Sequence, residues 1–199
     1  MTGFNSFGEE KINPALEVIK KLKNNIAGAD VVKLVVPTVF GKSIEIVTYA
    51  IEKERPDYVL CIGQAGGRFE ITAERIAINL NDAKIPDNEG KMPIDVSIDN
   101  GGRAAYFATI AIKEIVLEIK KEKIPAAISN SAGTFVCNHL MYGVLDYISK
   151  NNIPAKAGFI HIPFLPEQAV DKLNMPSMAI ETMVKAIEIA IKTIALSNK

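Results

Sequence analysis

Along the whole chain, short apolar runs alternate with longer stretches in which apolar residues recur every three or four positions. VVKLVVP (31–37) and DYVLCIG (57–63) are compact, β-branched runs closed by Pro or Gly, and AAISN (126–130) and GFIHIP (158–163) read the same way. These runs predict buried strands. In YFATIAIKEIVLEIKKE, the residues Ile112, Ile115, Val116 and Ile119 fall on one helical face. Ile180, Val184, Ile187, Ile191 and Ile194 do the same near the C-terminus. Both stripes are assigned to core packing. Strands alternating with helices imply an α/β fold with a mostly parallel, twisted sheet covered on both faces. Ligands in such folds sit at the carboxyl ends of the strands. Residues 81–103, rich in turn formers, are expected to form an excursion with little regular structure, of a length often tied to function.

Composition narrows the range of partners. A chain of 199 residues with 48% hydrophobic positions can bury a core and suggests one domain, residues 1–199. Lys plus Arg and Asp plus Glu each number 23 and are interspersed, so no net field draws nucleic acid or an anionic membrane. MTGFNSFGEE lacks the pattern of a secretion signal. The most apolar helical stretch, 178–196, is interrupted by Glu181, Lys185, Glu188 and Lys192, which argues against a membrane span. The expectation is a cytoplasmic protein whose two cysteines are thiols rather than a disulfide.

The thiols differ. Cys61 lies within an apolar strand and reads as structural. Cys137 follows the small residues SNSAG; with Thr134 as cap, Phe135, Val136 and Cys137 would be the first three residues of a helix. Free backbone N–H groups and the helix dipole there favour a thiolate, although packing is an equally open reading. Of the two histidines, His139 is two residues from Cys137 and would point elsewhere on the helix. His161, at the end of GFIHIP, lies where the chemistry of such a fold is placed and is the better base. In EITAERIAINL, alternation puts Glu74 on a face with Ile76, Ile78 and Leu80, where a carboxylate needs a partner. An imidazolium would serve; so would Arg68 or Arg75, the latter turned to the opposite face in a regular strand.

With these residues in place, GQAGGRFEITAERIAIN (63–79) and PAAISNSAGTFVCN (125–138) closely resemble the two signature segments of the pyroglutamyl peptidase I family. TGFNSFG, DAKIPDNEG and AGFIHIPFLPEQ resemble three further blocks in the same order, so the likeness spans almost the whole chain. The resemblance implies a single αβα sandwich that removes an N-terminal pyroglutamyl residue from peptides, with Glu74, Cys137 and His161 as catalytic residues. It implies no metal or organic cofactor, and assembly into a homo-oligomer, dimer or tetramer. The pocket positions it implies are Phe4, Phe7, Gln64, Ile85, Phe135 and Val136. Core packing is the competing account of Phe4 and Phe7.

The chain departs from the family pattern in places. Its first strand is expected to be short before TGF, and Lys84 stands where the family usually has arginine, keeping the charge without the planar fork. DNGGRAAYFATIAIK lacks prolines associated with that region. Asp87, in IPDN, is the second candidate for orienting the histidine. Three other readings compete: an impaired homologue that binds pyroglutamyl peptides without cutting them, a nucleoside phosphorylase or hydrolase on a related fold, and an oligomeric scaffold whose conspicuous residues are merely packed.

Overall fold

The computed structural model describes residues 1–197. The chain runs through β1 (Thr2–Phe4), α1 (Pro14–Lys21), β2 (Asn25–Ile26), β3 (Ala29–Asp30), β4 (Leu34–Val36), α2 (Lys42–Glu54) and β5 (Tyr58–Gln64). It continues through β6 (Ile71–Glu74), β7 (Ile76–Ile78), β8 (Ala105–Phe107), α3 (Ile112–Lys121) and β9 (Ala126–Ser129). The last elements are α4 (Val136–Lys150), β10 (Lys156–Ile162), α5 (Pro166–Ala169) and α6 (Ile180–Leu196).

Six strands form the central sheet in the order β4-β1-β5-β10-β6-β9. Every neighbouring pair is parallel except β10 and β6. Successive residues of a strand point to opposite faces, and the two cores divide accordingly. Leu60 and Ile62 pack with α1, α3 and α6, whereas Val59, Cys61 and Phe159 pack with α2 and α4. The result is the three-layer α/β sandwich that the alternating pattern predicts.

The helical stripes are core. Ile112, Ile115, Val116 and Ile119 of α3 are buried, as are Ile187, Ile191 and Ile194 of α6, with Ile180 and Val184 packed at the edge. At α1, Asn13 accepts a hydrogen bond from the Ala15 amide at 3.0 Å and Pro14 takes a position that needs no donor. No helix of the described residues is long and apolar enough to cross a membrane.

Three local expectations are corrected. Of VVKLVVP only Leu34–Val36 joins the sheet, because β1 offers just three residues to pair with it. EITAERIAINL is not one regular strand: the chain leaves the main sheet after Glu74, and β7 pairs with β8 instead. The face shared by Glu74 with Ile76 and Ile78 therefore does not exist, although Glu74 is fully buried. Thr134 does not cap α4; its hydroxyl donates to the Asp82 carbonyl at 2.7 Å, Phe135 takes the cap position without a side-chain bond, and Cys137 is the second helical residue. Residues 81–103 are irregular as expected, apart from a bridge between Asn81 and Val96.

Candidate active site

Register places the candidate residues on one face of three adjacent strands. His161 of β10 lies opposite Gly63 of β5 and Thr72 of β6, and Glu74 lies opposite Phe159, two residues before His161. These side chains therefore project toward α4, which covers that face. Cys137, in the first turn of α4, lies above Gly63: a Cβ at residue 63 would stand 2.9 Å from the Cys137 sulfur and 2.7 Å from the Phe159 ring. Only glycine lets helix and sheet approach this closely.

Glu74 Oε1 lies 2.7 Å from His161 Nδ1, with both side chains buried. The imidazole is thereby held with Nδ1 as donor and Nε2 free for chemistry. Arg68 Nη1 donates to the same oxygen at 2.6 Å. Two of the three partners considered for Glu74, His161 and Arg68, are thus present together, while Arg75 turns away to Asn130. Burial alone would lift the Glu74 carboxyl, but the hydrogen bond and charge of His161, with Arg68, hold it below its ordinary value. Burial lowers the proton affinity of His161 against the pull of Glu74.

Cys137 is partly accessible but closely surrounded. Burial first, then the Glu74 carboxylate, push its thiol from 9.0 up to about 12. This reverses the expectation from its place at a helix N-terminus. The dipole contributes up to about 1 kcal/mol, less than one pKa unit, and burial outweighs it. Burial thus favours the uncharged form of both groups, a thiol at Cys137 and a neutral imidazole at His161. Cys61, by contrast, is 1% exposed within the core, and burial raises its thiol too.

His139 does not belong to this pair. Its Nε2 accepts from the Gly41 amide at 2.8 Å and its Nδ1 faces Asn81 Oδ1 at 3.0 Å. Burial lowers its pKa to about 4. It is a structural, neutral imidazole.

The remaining candidates are distributed unevenly. The ring of Phe7 lies 5.9 Å from that of Phe135, and buried Phe40 meets Phe135 edge-on at 5.4 Å, so an aromatic group adjoins the start of α4 with Phe7 and Phe135 half-buried. Phe4 is buried one layer deeper, against Phe159. Val136 is fully buried. Gln64 turns its side chain to the opposite face of β5, where its Oε1 accepts from Gln168 Nε2 at 3.0 Å. Ile85 is 44% exposed on the excursion. Lys84 beside it is exposed, with no hydrogen bond or ion pair among the described residues. Asp87 accepts from the backbone amides of Phe40, Glu89 and Lys91, which pins the excursion to the Phe40 loop. It is Glu74, not Asp87, that bonds His161.

Two residues escape the sequence reading. Arg68 enters it only as a rival partner of Glu74. Gln168 closes the block AGFIHIPFLPEQ without being given a role there, yet it is buried and links Glu10, Gln64 and the Leu165 amide. Its one local signal is a glutamine two residues after a helix-opening proline.

A family model described as pyroglutamyl peptidase matches residues 1–197. The chain belongs to the pyroglutamyl peptidase family. A pyrrolidone-carboxylate peptidase of Thermoanaerobacter sp. (strain X514) is 62% identical over 199 residues, covering 100% of this chain and 98% of that protein. The crystal structure of pyroglutamyl peptidase I from Bacillus amyloliquefaciens superposes with a TM-score of 0.94 at 52% identity, over 98% of this chain and 93% of that one. A mutant pyrrolidone carboxyl peptidase from Pyrococcus furiosus gives a TM-score of 0.96 at 42% identity, over 100% and 98%. Membership decides for a cysteine-type peptidase and against the nucleoside phosphorylase reading.

Proposed function

We propose that this chain, as a single domain over 1–199, hydrolyses the amide bond after an N-terminal pyroglutamyl residue of peptides, with Cys137, His161 and Glu74 as its catalytic residues. The observation that carries the assignment is the 2.7 Å contact of Glu74 with His161 on the face that Cys137 overlies. His161 Nε2 takes the Cys137 proton as Sγ attacks the pyroglutamyl carbonyl. The tetrahedral oxyanion meets backbone N–H groups at the start of α4, which have no intrahelical acceptor. The C–N bond breaks, the amine leaves with the proton from His161, and a thioester remains. Water, deprotonated by His161, then cleaves the C–S bond, releases pyroglutamate and restores the thiol.

The pyroglutamyl ring is a flat, uncharged lactam, which suits a wall of Phe7 and Phe135 with Phe4 behind, Ile85 at the rim, and the backbones of Gln64 and Val136 as polar contacts. Lys84 is the auxiliary cation at that rim, and Asp87 acts by shaping the excursion. The reading needs no metal or organic cofactor: His161 is held by Glu74, and His139 by Gly41 and Asn81. Two unpaired thiols are consistent with the cytoplasm. Exposed Met92, Ile94 and Leu173 are consistent with self-association as a dimer or tetramer.

Release of a fluorescent amine from a pyroglutamyl amide under reducing conditions tests the assignment. The parent and Cys61→Ala should cleave, and Cys137→Ala should not. Well-folded parent that binds the amide without turnover would establish the impaired homologue instead.

A further inference from the structure

Glu74 has one oxygen left over. Oε1 takes both His161 and Arg68, whereas Oε2 is buried with no hydrogen bond among the described residues. A buried carboxylate oxygen without a donor is costly, so its surroundings should hold one. In the parallel ladder of β6 and β9, Glu74 stands in register with Ser129. Neighbouring strands lie about 4.8 Å apart and partnered residues share a face, so the Ser129 hydroxyl and the Glu74 carboxylate leave the sheet side by side. Burial lifts the Glu74 carboxyl, and the Ser129 hydroxyl comes after His161 and before Arg68 among the contacts that bring it down again.

As it stands, that hydroxyl serves the loop ahead of Cys137. Ser129 Oγ donates to the Ser131 carbonyl at 3.0 Å and accepts from the Ser131 amide at 3.3 Å. Neither bond ties its proton there. Arg68 Nη2 also donates to the Ser131 carbonyl, at 3.3 Å, so this acceptor keeps a partner when the Ser129 proton leaves it. The hydroxyl oxygen, for its part, accepts with its lone pairs wherever its proton points. A turn about the Ser129 Cα–Cβ bond therefore exchanges a shared carbonyl for an unpaired carboxylate oxygen, and the bond to the charged acceptor is the stronger one.

We propose that Ser129 is a positioning residue for the reaction: its hydroxyl turns from the Ser131 carbonyl to Glu74 Oε2, fixes the plane of the carboxylate and so aims Oε1 at His161 Nδ1. The inference rests on the catalytic assignment of Glu74 and His161. A donor at each oxygen also limits how strongly Glu74 holds a proton on His161. The charged and titratable groups that act on Glu74 are Arg68 and His161, and Glu74 in turn acts on Cys137. Ser129 closes β9 and opens the loop to α4, so one side chain joins the acid to the segment that leads to the nucleophile.

Ser129→Ala and Ser129→Thr, compared with the parent on a pyroglutamyl amide, test this. Without the hydroxyl, Glu74 holds the His161 proton more tightly. Ser129→Ala should therefore move the acid limb of the kcat/KM profile up by about half a pH unit and lower kcat about tenfold, with KM within about twofold. Ser129→Thr keeps the hydroxyl and should restore most of both. The Nδ1 proton of His161, observed by NMR in the Cys137→Ala background, should shift with Ser129→Ala and not with Ser129→Thr, with no turnover involved. A fall in kcat with the limb and the Nδ1 proton unmoved would show that Ser129 serves the loop alone and would overturn the proposal, as would a Ser129→Ala protein that matches the parent. A parent without turnover, whose Nδ1 proton still shifts with Ser129→Ala, would sink the catalytic assignment and uphold the bond between Ser129 and Glu74.

Discussion

Arg68 and His161 converge on a single oxygen of Glu74, at 2.6 and 2.7 Å, and its other oxygen is buried without a hydrogen-bond partner among the described residues. One carboxylate thus serves a permanent cation, Arg68, and a histidine that becomes a cation only on protonation. A histidine held by an unshared buried carboxylate would bind its proton more tightly. Arg68 weakens that hold, since its charge opposes a proton on His161.

Replacing Arg68 by Gln should therefore raise the His161 pKa. His161 works as a base when neutral, so the acid limb of the kcat/KM profile should move to higher pH, by about half to one unit. Arg68→Lys keeps the charge and should restore most of the limb but not the geometry. A profile that falls in height with no displacement would mean that Arg68 only supports the loop.

Gly63 is the point at which sheet and helix come closest. An added methyl would lie 2.9 Å from the Cys137 sulfur and 2.7 Å from the Phe159 ring, inside any real Cβ contact. Gly63→Ala should cost about 1–3 kcal/mol of stability. The displaced sulfur should lower kcat/KM by about 100-fold, because misplacement near 1 Å has that effect. Urea unfolding and steady-state kinetics measured on one preparation separate the two. Near-parental kinetics would show that Cys137 does not act from above Gly63.

How much of this was legible in the sequence depends on how far each cause reaches along the chain. The stripes of α3 and α6 follow from spacing within a few residues, and the structure buries them as read. That Glu74 seeks a partner follows from a carboxylate among apolar neighbours. Its face, however, follows only for a regular strand, and the departure at Arg75 is decided by β8, some thirty residues away. Thr134 has the local signature of a cap, yet the Asp82 carbonyl claims its hydroxyl across the excursion. The thiol of Cys137 is raised rather than lowered because burial and Glu74 are tertiary facts, whereas a helix start is a local one. Gln168 joins Glu10 and Gln64 from far along the chain and leaves almost no local trace.

Both histidines are buried with lowered pKa values, His139 at about 4. Each is neutral when folded and gains a proton more readily when unfolded, so the unfolded state binds more protons below the ordinary histidine value of 6.5. Stability should be full above that pH and fall as the pH drops from 6.5 toward about 4, His139 alone contributing up to about 3 kcal/mol. A proton on Nε2 would also set a donor against the Gly41 amide. Urea unfolding at steps from about pH 7.5 to about pH 4.5 should show this slope, and His139→Asn should flatten it while lowering stability at neutral pH. An unchanged slope in the variant would assign the acid sensitivity elsewhere.

Gln168 should govern binding more than turnover. Its Oε1 accepts from the Leu165 amide at 3.0 Å, which commits its amide nitrogen to Glu10 Oε2 at 2.8 Å and Gln64 Oε1 at 3.0 Å. Glu10 is in turn held by Lys172 at 2.8 Å. The arrangement clamps the segment that carries Phe7 to the end of β5, on the face away from Cys137. Gln168→Leu removes a buried donor–acceptor pair and leaves the Leu165 amide and Glu10 Oε2 without their Gln168 partner, a loss of about 1–3 kcal/mol. Because no reacting atom is touched, KM for a pyroglutamyl amide should rise by about tenfold with kcat within about twofold. Gln168→Glu should be worse than Gln168→Leu at neutral pH, since it sets one carboxylate against another, and should recover as the pH falls and one of them protonates. A kcat loss matching that of Cys137→Ala would place Gln168 in the chemistry itself, and KM unchanged in both variants would free the pocket from this clamp.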